Sequence, residues 1–170
     1  MGSRIIATLL LGLAVVAPGQ SAAADTSAAG AETGVTATEM AALLESYPEV
    51  ERVEIRQGRY GNPALSASAS GVRFDVFLFH CAAASAEARC GEVQYKATFA
   101  PAAGRASEAA AAVKRWDQDW VFGRAFVEDD DDVVNEHAHF ATGVTATYLH
   151  ENADLWLLSI LPDFRKTIGY

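Results

Sequence analysis

Basic residues are scarce in this 170-residue chain. Lys and Arg total 13 against 22 Asp and Glu, a formal net charge of −9. A binder of nucleic acid or of an anionic membrane needs a basic patch, so both classes are disfavoured. Large aliphatic residues are also few. Ala alone fills 34 positions, while Leu, Ile, Val and Phe together fill 40. All 16 Phe, Tyr and Trp residues lie after residue 46, so one core of ordinary size is expected there. Internal repeats, Gly-rich phosphate loops and a Gly-x-Ser-x-Gly elbow are all missing. No apolar run reaches the roughly 20 residues that a membrane-spanning helix needs. Cysteine is limited to Cys81 and Cys90.

What is there begins with an address. Arg4 precedes a 13-residue apolar run from Ile5 to Ala17; Pro18 and Gly19 end it, and Ala22-Ala23-Ala24 follows. This is the layout of a secretory signal peptide over residues 1–24, cut between Ala24 and Asp25. The chain is therefore expected to be exported, to the periplasm or the medium, with no stable membrane span after cleavage. Residues 25–35 are small and polar and read as a flexible leader. Residues 36–170 form the domain.

An exported chain sits where disulfides persist, and two cysteines with none left over suit one bridge, Cys81–Cys90. Both end strand-like runs, FDVFLFH before and EVQYKATF after, so the bridge would cross-link antiparallel neighbours. Closing that loop is worth about 2.7 kcal/mol on chain entropy. A reactive pair would favour Cys-x-x-Cys spacing instead.

Thr36-Ala37-Thr38-Glu39 has the capping-box pattern, and Met40, Leu43, Leu44 and Tyr47 continue at helical spacing up to Pro48. Val50–Gln57 and the small-residue stretch 64–70 read as strands. Val72–Cys81 carries large residues on both faces, which predicts a central strand covered on both sides near its end. Glu92–Phe99 alternates, with Val93, Tyr95, Ala97 and Phe99 inward. A helix is expected from Ser107, as N-cap, to Trp120, with Val113, Trp116 and Trp120 as its buried stripe. Residues 125–128 and 133–142 pair around an acidic tip. A last helix opens at Thr145 and should kink or stop at Pro162. The order α-β-β-β-β-α-β-β-α, with short turns, predicts an α+β fold: a mostly antiparallel sheet flanked by helices.

The block VRFDVFLFHC, a second Cys and VQYKATF, followed by RWDQDWVFGRAFVEDDDDVV, resembles the YbjN-like family. In that family a Trp-containing helix runs into an Arg-Phe-Gly-Arg-Ala-aromatic strand and an acidic turn. Gly143-Val144, Trp156 and Phe164 also match. Two positions depart from the pattern: Asp117 stands where the family has Asn, and Val121 where it has Arg. The resemblance implies a fold similar to type III secretion chaperones, and a homodimer, as such chaperones form. It also implies the role of a bacterial sensory transduction regulator, a class of binding protein with no defined chemistry. The leading expectation is thus a non-enzymatic module that binds an unidentified protein partner and needs no cofactor.

Several individual residues admit both a functional and a plainer role. Trp120 and Arg124 are the candidate partner-binding residues; the plainer role of Arg124 is an ion pair with the acidic turn. Phe77 is a second aromatic candidate for gripping a partner. His137 and His139 share one face of a strand, and with His150 they would suit a metal-dependent enzyme or, more plainly, a solvated outer strand face. The run from Glu128 to Asp132 lacks the spacing and glycine of a calcium loop and reads as a solvated hairpin tip. Asp117, Asp119 and Asp163 show no convergence for acid–base work. An envelope structural component with no dedicated ligand is the remaining alternative.

Overall fold

The computed structural model describes residues 34–128 and 132–170. The predicted signal segment, its cleavage position Ala24–Asp25 and most of the predicted leader lie outside the described residues, as do residues 129–131. Helix α1 (Ala37–Glu45) is followed by four strands, β1 (Val50–Gln57), β2 (Pro63–Ala69), β3 (Val72–Cys81) and β4 (Cys90–Phe99). Helix α2 (Ala106–Asp119) leads to β5 (Arg124–Val127) and β6 (Val133–Phe140). The chain ends in α3 (Ala146–Asp154), a π-helical segment (Leu155–Ile160) and α4 (Leu161–Thr167). The six strands form one sheet in the order β1-β2-β3-β4-β6-β5, every neighbouring pair antiparallel. The fold is the α+β class expected from the element order.

The capping box at α1 forms as the pattern requires. Thr36 Oγ1 accepts from the Glu39 amide at 3.0 Å, and Glu39 Oε2 accepts from the Thr36 amide at 3.0 Å. Val35, assigned to the leader on composition, is instead buried and exchanges backbone hydrogen bonds with Cys90. A single apolar side chain with a strand edge beside it is enough to order that residue. The β2–β3 turn is two residues long, and both Ser70 (φ +50°) and Gly71 (φ +75°) take the positive φ that such tight hairpins use. Cys81 and Cys90 are paired in a disulfide at directly opposed positions of β3 and β4.

All three helical layers lie on one face of the sheet. That face presents Leu65, Phe74, Val76, Leu78, Val93, Tyr95 and Phe99, each at most 1% exposed. Over it pack Met40 and Leu44 of α1, Trp116 of α2, and Trp156, Ile160 and Phe164 of the last helix. Phe74 and Tyr95 contact Trp156, and Phe164 lies between Phe99 and Trp116. Each Trp removes on the order of 150–250 Å² from water, roughly 4–6 kcal/mol of transfer free energy at about 25 cal/mol/Å².

Three elements differ from the sequence expectation. The strand Val72–Cys81 is central but covered on one face only: no described helix lies over Phe77 and Phe79, which are half-buried by their own neighbours. Helix α2 starts one residue earlier than Ser107, with Arg105 in the cap position and no side-chain cap bond. Arg105 instead pairs with Glu108 in the first turn, where a carboxylate also suits the helix dipole. The last helix does not stop at Pro162. The preceding turns widen into the π segment, where the Leu161 amide reaches back to the Trp156 carbonyl, and Pro162 enters the first turn of α4. The one-residue slip of the π turn lets the helix run on through a residue that has no N–H to give and whose ring crowds the carbonyl four residues back.

Candidate functional site

The uncovered face of the sheet is built from the alternate residues of each strand. Across it run Arg124, Glu136, Lys96, Asp75 and Ser66 in register, with Phe77 and Gln94 in the next row. Charges on it are laced together. Arg56 bonds Asp75 at 2.9 Å and Ser66 at 2.9 Å and lies over the Phe77 ring at 5.4 Å. Lys96 bonds Glu128 at 2.8 Å, and Gln94 donates to Glu136 at 3.2 Å. Exposed pairs like these contribute up to about 1 kcal/mol each. Between them lies a groove of about 450 Å³ with Phe77 and Phe79 on its floor and the β1–β2 turn along its side. Tyr60, at the tip of that turn, is 82% exposed.

Of the two predicted partner-binding residues, Arg124 lies on this open face and Trp120 does not. Arg124 sits over Phe126 at 4.9 Å and faces Glu136, its cross-strand partner, at 3.9 Å. Its ion pair is therefore with the neighbouring strand and not with the acidic turn, because the register places residue 136, not 128, beside it. The described part of that turn is held otherwise: the Glu128 amide donates to the Asp132 carbonyl, and its carboxylate meets Lys96. Residues 129–131 of the acidic run lie outside the described residues. Trp120 stacks flat on Trp116 at 4.3 Å and caps α2 from within the helical layer.

Asp117 has a role that sequence reasoning missed. Its Oδ1 accepts from the Ala125 amide at 2.9 Å, tying the end of α2 to the start of β5. Gly123 makes the intervening turn at φ +77°, and a β-carbon there would lie 3.3 Å from Ile160. Asp119 and Asp163 do not join it, and no described site brings the three carboxylates together.

His137 and His139 lie on the opposite face from the one expected. Both are buried, at 9% and 7% exposure, because they continue the inward row of Asn135 and Tyr95. They pack beneath α3, 6.0 Å apart, with Tyr95 within 6.4 Å of both rings and Tyr148 edge-on to His139. His137 Nε2 is 3.0 Å from Asn152 Oδ1, and Asn152 Nδ2 donates to the Tyr148 carbonyl. The donating NH₂ fixes the amide, so His137 carries its proton on Nε2. His139 Nδ1 donates to the Phe140 carbonyl at 3.1 Å, while its Nε2 is buried with no hydrogen-bond partner. Burial lowers the pKa of both imidazoles and raises that of the Tyr95 phenol, so all three are neutral at pH 7. His150 points elsewhere, toward Tyr47 at 6.5 Å. Among the described residues no group of three or more His, Cys, Asp or Glu side chains is arranged to hold a metal ion.

Beside the histidines a second concavity of about 570 Å³ opens between β6 and α3. Phe122 and Phe140, 53% and 72% exposed, stand at its mouth. Neither was a candidate on sequence: the direction of Phe140 is set by the β4–β6 register, and that of Phe122 by the turn before β5. Compared with protein-family models, curated proteins and solved structures, the chain matches none.

Proposed function

We propose that this chain is an exported, non-enzymatic protein-binding module of the YbjN type, and that its partner docks on the open face of the sheet. One observation carries the reading: an aromatic-floored groove of about 450 Å³ on a sheet face that no described helix covers. A concavity that combines aromatic side chains with a few convergent polar groups is the default place to look for a binding site. Tyr60, Phe77 and Phe79 would take an apolar side chain of the partner, and Arg124 and Lys96 with their paired carboxylates would form the polar rim. Export is supported by the leader pattern in the sequence, the Cys81–Cys90 bridge, and the lack of any described helix long and apolar enough to cross a membrane.

The test is site-specific photocrosslinking in cells that export the chain. A crosslinking amino acid at Tyr60 is expected to give one discrete adduct that disappears when Phe77→Ser is added. The same group at Glu45, at the end of α1, is expected to give none. No adduct from position 60, or identical adducts from both positions, would remove the reading.

A further inference from the structure

We infer that the outer edge of β1 is a pairing surface for a second copy of this chain, β1 against β1 in antiparallel. The surface is separate from the groove on the open face and stands whether or not that groove holds a partner. The main chain comes first. The Gly58 amide donates to the Asn62 carbonyl at one end of the β1–β2 hairpin, and the Ser70 amide to the Glu49 carbonyl at the other. Backbone direction alternates along a strand, and the bulge between Val50 and Arg52 shifts the alternation by one. From either end, Arg52, Glu54 and Arg56 turn their N–H and C=O groups toward β2. Val53, Ile55 and Gln57 turn theirs outward. Strand β1 ends the strand order, and no described hydrogen bond reaches those outward groups. The other end of the sheet differs. There the Ala125 amide is already taken by the Asp117 carboxylate, and β5 is only four residues long.

Any extended chain could match those donors and acceptors; the side chains select a copy. A free edge is commonly blunted with charge, Lys above all. Here the signs alternate instead: Arg52, Glu54 and Arg56 share the open face, opposite Ser68, Ser66 and Ala64. A two-fold axis normal to the sheet keeps each side chain on its own face and sets one residue opposite itself. Centred on Glu54, the pairing would put Glu54 against Glu54 and Arg52 against Arg56, like against like. Centred on Val53, it puts Arg52 against Glu54 twice. Centred on Ile55, it puts Glu54 against Arg56 twice. Opposite charges facing across two strands favour pairing, and like charges oppose it. In both favoured registers the central residue is one that turns outward, so it exchanges main-chain hydrogen bonds with its own copy.

The dry face agrees. Ile55 lies on it, opposite Leu65, yet is 44% exposed. A second copy brings its own β1 and α1 to the same side and continues the apolar layer past that residue. The net charge of −9 on each copy works against association, so the pairing is expected to be weak, with a Kd on the order of 0.1 mM.

Sedimentation of the purified chain between about 10 μM and about 1 mM tests this. A monomer–dimer equilibrium is expected in that range. A chain that stays monomeric up to about 1 mM overturns the inference. Glu54→Arg meets an arginine in either register and is expected to weaken the dimer at least about tenfold. Arg52→Glu and Arg56→Glu are its complements. Mixed with Glu54→Arg, the first is expected to give a heterodimer of wild-type strength if the centre is Val53, the second if it is Ile55. Wild-type association by Glu54→Arg alone, or no heterodimer from either mixture, overturns the inference. Ile55→Pro removes an outward N–H and leaves the ladder to β2 intact, a change that edge strands tolerate. It is expected to keep the dispersed amide spectrum of the folded monomer and to abolish the dimer. Undiminished association of that variant would equally overturn the inference.

Discussion

His137 and His139 are buried without charge, and that makes them a source of acid sensitivity. Desolvation holds both below the ordinary histidine value of about 6.5 that they recover on unfolding. In the window between those values the unfolded chain binds more protons than the folded one, so stability rises with pH there. The contribution is fully present above about 6.5 and is lost as pH falls through the folded values. Urea unfolding at pH 7.5 and pH 5.5 should therefore show a loss of stability that shrinks in His139→Phe, which cannot titrate; an equal loss in both would refute the assignment. Asp117 supports a second prediction at this scale. Asp117→Asn keeps an acceptor for the Ala125 amide and should be nearly neutral, whereas Asp117→Ala should cost about 1 kcal/mol. The sequence placed the two histidines on one face of a strand but gave no reason to choose which face. The choice lies in the β4–β6 register, and a one-residue shift would turn both outward.

At the scale of elements, local signals were the readable ones. The capping box at Thr36 and the alternation of β4 both act within a few residues, and each appears where the pattern puts it. The passage of the last helix through Pro162 was not readable. It depends on Trp156, Ile160 and Phe164 all being buried against one sheet, a requirement set by residues far away in the chain. The β3–β4 hairpin was legible because cysteines bracket its loop. Its bridge joins opposed residues nine apart, and Cys90 is also the residue that holds Val35 in front of α1. Replacing both cysteines by serine should lower stability by about 2.7 kcal/mol. It should also speed amide exchange at Val35 before exchange in β2. Unchanged stability, or uniform acceleration everywhere, would argue that the bridge does not fasten this end of the sheet.

The whole molecule is a sheet with a wet side and a dry side, and strand β3 tests that division because it carries phenylalanine on both. Phe74 is 1% exposed and contacts Trp156; Phe77, three residues on, sits half-buried on the groove floor beside Arg56. Element order and short turns made the antiparallel α+β architecture legible. They did not say which face stays open, because large side chains on both faces of one strand look like double cover. The two substitutions separate these cases. Phe74→Ala should cost about 3–5 kcal/mol, the range for deleting a fully buried aromatic ring. Phe77→Ala should cost about 1 kcal/mol, since the ring already meets solvent and little cavity forms. Double cover predicts two similar losses; a single dry face predicts a gap of at least about 2 kcal/mol between residues of the same type on one strand. Chemical denaturation of the two variants measures that gap directly. Equal, large losses would mean that a further layer covers the groove in the free chain, leaving no open face for a partner to occupy.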